Sequence, residues 1–94
     1  MKKSIIHNGD SCFICGSMRN LETHHVWHGT ANRKLADEDG LTVKLCHQCH
    51  ANLHDKGTND RMLMEVGEWA WLKVYGGTII DFIKRYGRNV INEQ

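Results

Sequence analysis

Apolar and polar residues alternate along two segments of the chain, and each alternation predicts a short strand. The first strand is predicted over residues 21–27, and the second over residues 41–45, where the alternation is cleanest. A further short strand is predicted over residues 4–7. The polar segment 28–39, which separates the two main strands, is expected to be a loop.

Helical periodicity dominates the rest of the chain. One helix is predicted over residues 50–56 and a longer one over residues 61–75, where apolar residues recur at helical spacing. A final helix begins at Thr78, whose side chain can form a capping box with Asp81, and it ends at Gly87. The apolar stripe predicted on the long helix comprises Met62, Leu63, Val66, Trp69, Ala70 and Val74. Together these elements predict an α+β fold.

The composition indicates that hydrophobic packing is not the only source of stability. The chain has 94 residues, of which 40% are hydrophobic and 7% aromatic, so its core is small. The formal net charge of +1 excludes strongly basic and strongly acidic classes of binding protein. No apolar run approaches the roughly 20 residues that cross a bilayer. No signal-peptide pattern follows the first residues, so a cytoplasmic protein is expected.

The four cysteines form two pairs, Cys12 with Cys15 and Cys46 with Cys49, with two residues between the members of each pair. A tight turn at this spacing directs both sulfurs toward one tetrahedral centre, so the pairs predict a structural Zn²⁺ site. Iron in a rubredoxin-like site is the main competing metal. Two disulfides lack the support of a secretory signal, and a thioredoxin-like motif would explain only one pair.

The seven histidines include two close pairs, one before and one after the second cysteine pair, Cys46 and Cys49. His24 and His25 are adjacent on a predicted strand, so their side chains point to opposite faces. His50 and His54 are four residues apart on a predicted helix, so both imidazoles lie on one face and can bind one ion. The pair His24 and His25 is expected to face the pair His50 and His54. Three imidazole ligands with open water positions are typical of a catalytic metal site, and the fourth histidine can act as a general base.

These motifs carry a resemblance to a known family. The two Cys-x2-Cys pairs, the His-His pair, the run Leu45-Cys46-x2-Cys49-His50 and the further His54 resemble the HNH, or ββα-metal, endonucleases. The resemblance covers Cys12 to His54. More loosely, most of the chain is similar to small phage and prophage HNH proteins.

The resemblance implies an architecture and a set of site residues. It implies one HNH-type domain over residues 1–94, with the zinc knuckles and ββα-metal core in residues 1–57 and a helical extension in residues 58–94. In this architecture a small zinc-crosslinked ββα-metal module is followed by two C-terminal helices. The implied general base is His25. The implied ligands are Cys12, Cys15, Cys46 and Cys49 for structural zinc, and His24, His50 and His54 for a catalytic Mg²⁺, Mn²⁺, Ni²⁺ or Zn²⁺.

The implied activity is hydrolysis of DNA phosphodiester bonds, and one family feature is missing. The middle Asn of the family signature falls where this chain has Gly40-Leu41, and Asn32 is the candidate supporting residue in its place. Arg33 and Lys34 are the expected DNA-phosphate contacts. The near-neutral charge predicts weak, salt-sensitive binding with little sequence specificity, so a phage or host protein is an expected targeting partner.

A different class of protein also accounts for part of the pattern. A non-catalytic zinc-ribbon module that binds DNA or protein would explain the four cysteines and the C-terminal helices. It would leave the two histidine pairs as coincidence or as accessory zinc ligands.

Overall fold

The computed structural model describes residues 3–91, which form a two-stranded antiparallel sheet and four helices. The elements in chain order are β1 (Leu21–His25), α1 (Thr30–Asp39), β2 (Thr42–Cys46), α2 (His47–Lys56), α3 (Asp60–Tyr75) and α4 (Ile79–Tyr86). The predicted α+β class is therefore confirmed. Within the described residues, no helix is both long and apolar enough to cross a membrane.

The two strands pair over their full lengths. Leu21 lies opposite Cys46 and His25 lies opposite Thr42. β1 ends two residues earlier than predicted because Val26 and Trp27 turn away from the sheet into the core, where both are almost fully buried. The predicted strand at residues 4–7 does not form, although that segment contacts the rest of the fold by a backbone hydrogen bond from Ile5 to Gly40.

The predicted loop at 28–39 is wrong, because most of this segment is helix α1. Its residues are largely good helix formers. Because most of them are polar, little in the sequence indicated that Ala36 is fully buried. The helix ends at Gly40, which adopts a left-handed conformation with φ 78° and is closely covered by the segment before β1. The two strands are therefore joined by a helix that packs beside β1.

Helix α2 begins three residues earlier than predicted, directly after β2. The Sγ atom of Cys46 accepts a hydrogen bond from the backbone N–H of Cys49 and caps the helix. The helix ends at Gly57, as predicted. The second cysteine pair thus forms the junction between strand and helix.

Helix α3 buries Leu63 of the predicted stripe, but the rest of its buried face differs from the predicted one. Trp69 and Val74 of the predicted stripe are 61% and 53% exposed, and Met62 is 39% exposed. The close approach of Gly67 to Val26, the residue after β1, decides the orientation, since a Cβ atom at Gly67 would lie only 2.5 Å from Val26 Cγ2. The residues that α3 buries are Leu63, Met64, Gly67, Glu68 and Trp71.

Helix α4 completes an aromatic core. Thr78 and Asp81 form the predicted capping box at its start. Phe82 is fully buried, and its ring lies 4.9 Å from that of Trp27 and 5.3 Å from that of Trp71, both edge to face. The Trp27 indole also donates a hydrogen bond to the Met64 carbonyl oxygen at 3.0 Å. These contacts join the end of β1 to both C-terminal helices.

A buried carboxylate ties α1 to the same helices. Asp39 accepts hydrogen bonds from the Trp71 indole at 2.9 Å and from the Tyr86 hydroxyl at 2.8 Å. The Arg85 guanidinium donates to both of its oxygens, at 2.6 and 2.8 Å. Asp39 therefore satisfies donors from α3 and α4 at once.

We expect Asp39→Ala to lower the free energy of unfolding by about 3 kcal/mol, because it leaves the buried donors of Trp71 and Tyr86 without an acceptor. Urea denaturation of the protein measures the change. The control is Glu38→Ala, which removes only an exposed contact to Arg85 and should change stability by less than about 1 kcal/mol. Equal losses for the two variants would contradict the role given to Asp39.

Candidate metal centres

The four cysteines meet at one point, as predicted from their spacing. Their sulfur atoms lie within 4.8 Å of one another, and the Sγ atoms of Cys15 and Cys46 are 3.7 Å apart. Zinc–sulfur bonds of about 2.3 Å in a tetrahedron separate two sulfurs by about 3.8 Å. The cluster therefore has the dimensions of a four-thiolate zinc site.

Local backbone contacts bring the first cysteine pair to the second. Phe13 donates a backbone hydrogen bond to the Lys44 carbonyl oxygen at 2.8 Å, which attaches the first turn to β2. The turn itself is closed by a bond from Gly16 N–H to the Cys12 carbonyl oxygen, and Gly16 has the positive φ of 81° that this turn requires. The sheet thus supplies the base on which both pairs converge.

The thiol pKa values indicate that the cluster is suited to a cation. Burial raises the pKa of Cys12, but backbone hydrogen bonds from Cys15, Cys46 and Ile14 outweigh this and lower it to about 6. Burial and the adjacent thiols raise the pKa of Cys49 to about 12. Four clustered thiols therefore resist complete ionisation, and a bound divalent cation would remove that resistance.

A second cluster forms from histidines on β1 and α2. His24, His50 and His54 each bring a ring nitrogen within 4.8 Å of the others. The Nε2 atoms of His50 and His54 are 3.0 Å apart, close to the separation of about 3.0–3.4 Å expected for two nitrogen ligands of one ion. His24 is 2% exposed, and its Nε2 atom has no hydrogen-bond partner within residues 3–91. This unsatisfied buried nitrogen fits a metal ligand.

The surroundings favour the ligand forms of these side chains. Burial, together with the nearby His50 and His54, lowers the pKa of His24 to about 4, so this imidazole is neutral at pH 7. Glu22 Oε1 lies 2.7 Å from His50 Nδ1, and Glu22 Oε2 lies 3.0 Å from His47 Nδ1. A carboxylate that accepts from Nδ1 leaves Nε2 of His50 available to a metal.

The histidine cluster opens into a cleft of about 430 Å³. His25 lines this cleft but does not belong to the three-histidine cluster. Its side chain is 12% exposed, and its Nε2 atom lies 3.1 Å from Asp37 Oδ1 on α1. The described residues that line the cleft are Thr23, His24, His25, His28, Gly29, Thr30, Arg33, His50 and His54.

The four predicted site histidines line this cleft. Arg33 lines the cleft, and Lys34 lines an adjoining depression that also includes His25 and Asp37. Asn32, predicted to support the base, lines neither, and Asp37 contacts His25 instead. Within helix α1, Asn32 lies off the face that carries Arg33 and Asp37, and its supporting role stays a prediction.

Two residues near the site, Glu22 and Asp37, were not predicted from the sequence. His28, a weak auxiliary candidate from the sequence, lines the cleft and hydrogen-bonds to Asp60 at 2.9 Å. The four-residue spacing of Arg33 and Asp37 would have indicated a shared face if the segment had been treated as a helix. Comparisons of the chain with protein-family models, curated proteins and solved structures found no match.

We expect Glu22→Ala to weaken divalent-metal binding at the histidine cluster by about 10- to 100-fold, because His50 loses its orienting carboxylate. Calorimetric titration of the zinc-loaded protein with Ni²⁺ measures this affinity. The matched control is Glu65→Ala on α3, since both glutamate side chains are 42% exposed. An unchanged Kd in Glu22→Ala would show that the Glu22–His50 contact has no part in metal binding.

Proposed function

We propose that this chain is a metal-dependent endonuclease of the HNH type that hydrolyses DNA phosphodiester bonds. The observation that carries the proposal is the position of His25 in the same cleft as the three-histidine cluster but outside it. Hydrolysis of a phosphodiester needs a base for water and a positive charge for the phosphate. In this cleft, His25 is the candidate base, and the three-histidine cluster is the candidate binding site for a positively charged metal ion.

The histidine cluster is the proposed site of the catalytic cation. His24, His50 and His54 would hold Mg²⁺, Mn²⁺, Ni²⁺ or Zn²⁺, and all-nitrogen ligation suits the last three better than Mg²⁺. When bound, the cation supplies positive charge that polarises the phosphate and stabilises the departing 3′ oxygen. The buried, neutral His24 fixes the position of the cluster against the sheet.

The remaining side chains in the cleft provide the base and the phosphate contacts. His25, held at the end of β1, is the proposed acceptor of the proton from the attacking water. Arg33 and Lys34 project from α1 beside it, and both can contact phosphate oxygens. Phosphate contacts orient the nucleic acid but do not read its sequence, so weak sequence specificity is proposed.

The four-cysteine site is proposed to hold a structural zinc ion. It joins the loop before β1 to the β2–α2 junction, and that junction positions His50 and His54. Free thiolate ligands suit a reducing compartment, so the cytoplasm is the proposed location. The net charge of +1 limits unaided DNA affinity, and a phage or host protein is the proposed targeting partner.

The test is cleavage of supercoiled plasmid by the zinc-loaded protein with Mg²⁺, Mn²⁺, Ni²⁺ or added Zn²⁺. We expect at least one of these metals to support nicking or linearisation, and a chelator to stop it. His54→Ala should abolish cleavage while leaving one zinc per chain. His47→Ala is the matched control on the same helix, because His47 is 72% exposed and lies outside the metal cluster.

Two results would overturn the proposal. Full cleavage by His54→Ala would show that the histidine cluster is not the catalytic centre. Binding of DNA without cleavage under every metal would favour the non-catalytic zinc-ribbon module.

A further inference from the structure

Helix α1 reaches back over the end of β1 and contacts the candidate base. Asp37 Oδ1 lies 3.1 Å from His25 Nε2, and the two residues are 12 positions apart in the chain. We propose that Asp37 is a positioning residue that holds His25 in the tautomer whose Nδ1 atom accepts the proton. This inference rests on the proposed nuclease function, and it assigns a role to helix α1, which joins the two strands.

The chemistry of the contact determines which nitrogen is the base. An ionised carboxylate can only accept hydrogen bonds, so the proton of the neutral imidazole resides on Nε2 of His25. The lone pair is then on Nδ1. The Asp37 side chain is 39% exposed, whereas the His25 side chain is 12% exposed and its orientation is constrained by packing.

The proton transfer and the bond changes of the reaction follow from this tautomer. A water molecule loses a proton to His25 Nδ1 while its oxygen forms a new bond to phosphorus. The bond between phosphorus and the 3′ oxygen breaks, its electron pair stays on that oxygen, and the oxygen takes a proton from solvent. The Asp37 carboxylate stays ionised and stabilises the imidazolium that forms.

The same helix face carries the proposed phosphate contact. Arg33 and Asp37 are one helical turn apart, so their side chains lie on one side of α1. Thr30, Lys34 and His25 line the same depression. Helix α1 therefore presents a cation for the phosphate and a carboxylate for the base from one rigid element.

The first experiment observes the tautomer directly. Long-range ¹H–¹⁵N correlation spectra of the zinc-loaded protein, with His25 neutral, should show the proton on Nε2 in the wild type. Asp37→Ala should give a mixture of the two tautomers. Glu38→Gln is the matched control, since it makes a similar loss of charge one residue away and should leave the His25 signals unchanged. A wild-type tautomer protonated on Nδ1, or an unchanged tautomer in Asp37→Ala, would overturn the proposal.

The second experiment separates positioning from binding. Asp37→Ala should lower kcat for plasmid cleavage by about 10- to 100-fold while KM and the Kd for Ni²⁺ change by less than about 2-fold. Asp37→Glu should recover part of the loss because it restores an acceptor for Nε2. A kcat equal to that of Glu38→Gln would overturn the proposal.

The two experiments distinguish failure of this inference from failure of the proposed function. If the wild type cuts no DNA, the nuclease proposal fails, and the spectra alone decide whether Asp37 holds His25. If the wild type cuts DNA and the tautomer does not depend on Asp37, only the role of Asp37 is lost.

Discussion

Removal of the proposed zinc ion from the four-cysteine site is expected to unfold the chain, with a loss on the order of 10 kcal/mol of coupled binding and folding free energy. Cys12 and Cys46 are 3% and 8% exposed and belong to the hydrophobic core, so the site and the core form one structure. Without the ion, the loop before β1 loses its main attachment to the β2–α2 junction. A core this small buries too little apolar surface to keep the chain folded without that attachment.

The measurement combines metal analysis with spectroscopy. The purified protein should contain one zinc per chain, and its removal with a strong chelator should abolish the near-ultraviolet circular dichroism and expose Trp27, which is 1% exposed in the fold. The double variant Cys12→Ser/Cys46→Ser should behave in the same way. His54→Ala should keep both the zinc and the spectrum. A zinc-free protein with a native spectrum would contradict the prediction.

Replacement of His25 by Ala is expected to lower kcat for DNA cleavage by about 10²- to 10⁴-fold, the range that a general base contributes. The ligand cluster does not include His25, so Ni²⁺ affinity at the histidine cluster and the zinc content should stay unchanged. KM should change little, because the phosphate contacts proposed for Arg33 and Lys34 remain. This pattern separates a base from a ligand and from a DNA-binding residue.

Single-turnover cleavage of plasmid, with metal affinity measured in parallel, tests this expectation. The exposed His47 supplies the control, since His47→Ala removes an imidazole outside the cleft lining. Activity in His25→Ala equal to that of His47→Ala would remove His25 from the mechanism. A simultaneous loss of Ni²⁺ binding would assign His25 to the metal site instead.

The metal-ligand groups could be predicted because their spacing is local. Two residues between the thiols of a pair and four residues between His50 and His54 bring ligand atoms together within a single turn or helix. The conformation of one short segment therefore decides each half of a site. The capping box at Thr78 and Asp81 was predictable for the same reason, since both partners lie within one helical turn.

The elements that failed prediction depend on packing between distant segments. Helix α1 has few apolar residues, so its periodicity is weak, and the burial of Ala36 and Asp39 stabilises it in the folded protein. The face of α3 could not be predicted by counting large apolar side chains. Its orientation depends on the close approach of Gly67 to Val26, and that contact spans more than forty positions in the chain.

The two cysteine-bearing turns and the shared helix face of His50 and His54 follow from the amino-acid sequence alone, because local spacing controls them. The tertiary structure decides which groups support the ligands. Glu22 contacts His50, and Asp37 contacts His25, because β1 packs against both α1 and α2. Such contacts leave no spacing signature, since their partners come from different elements whose relative positions are set by the core.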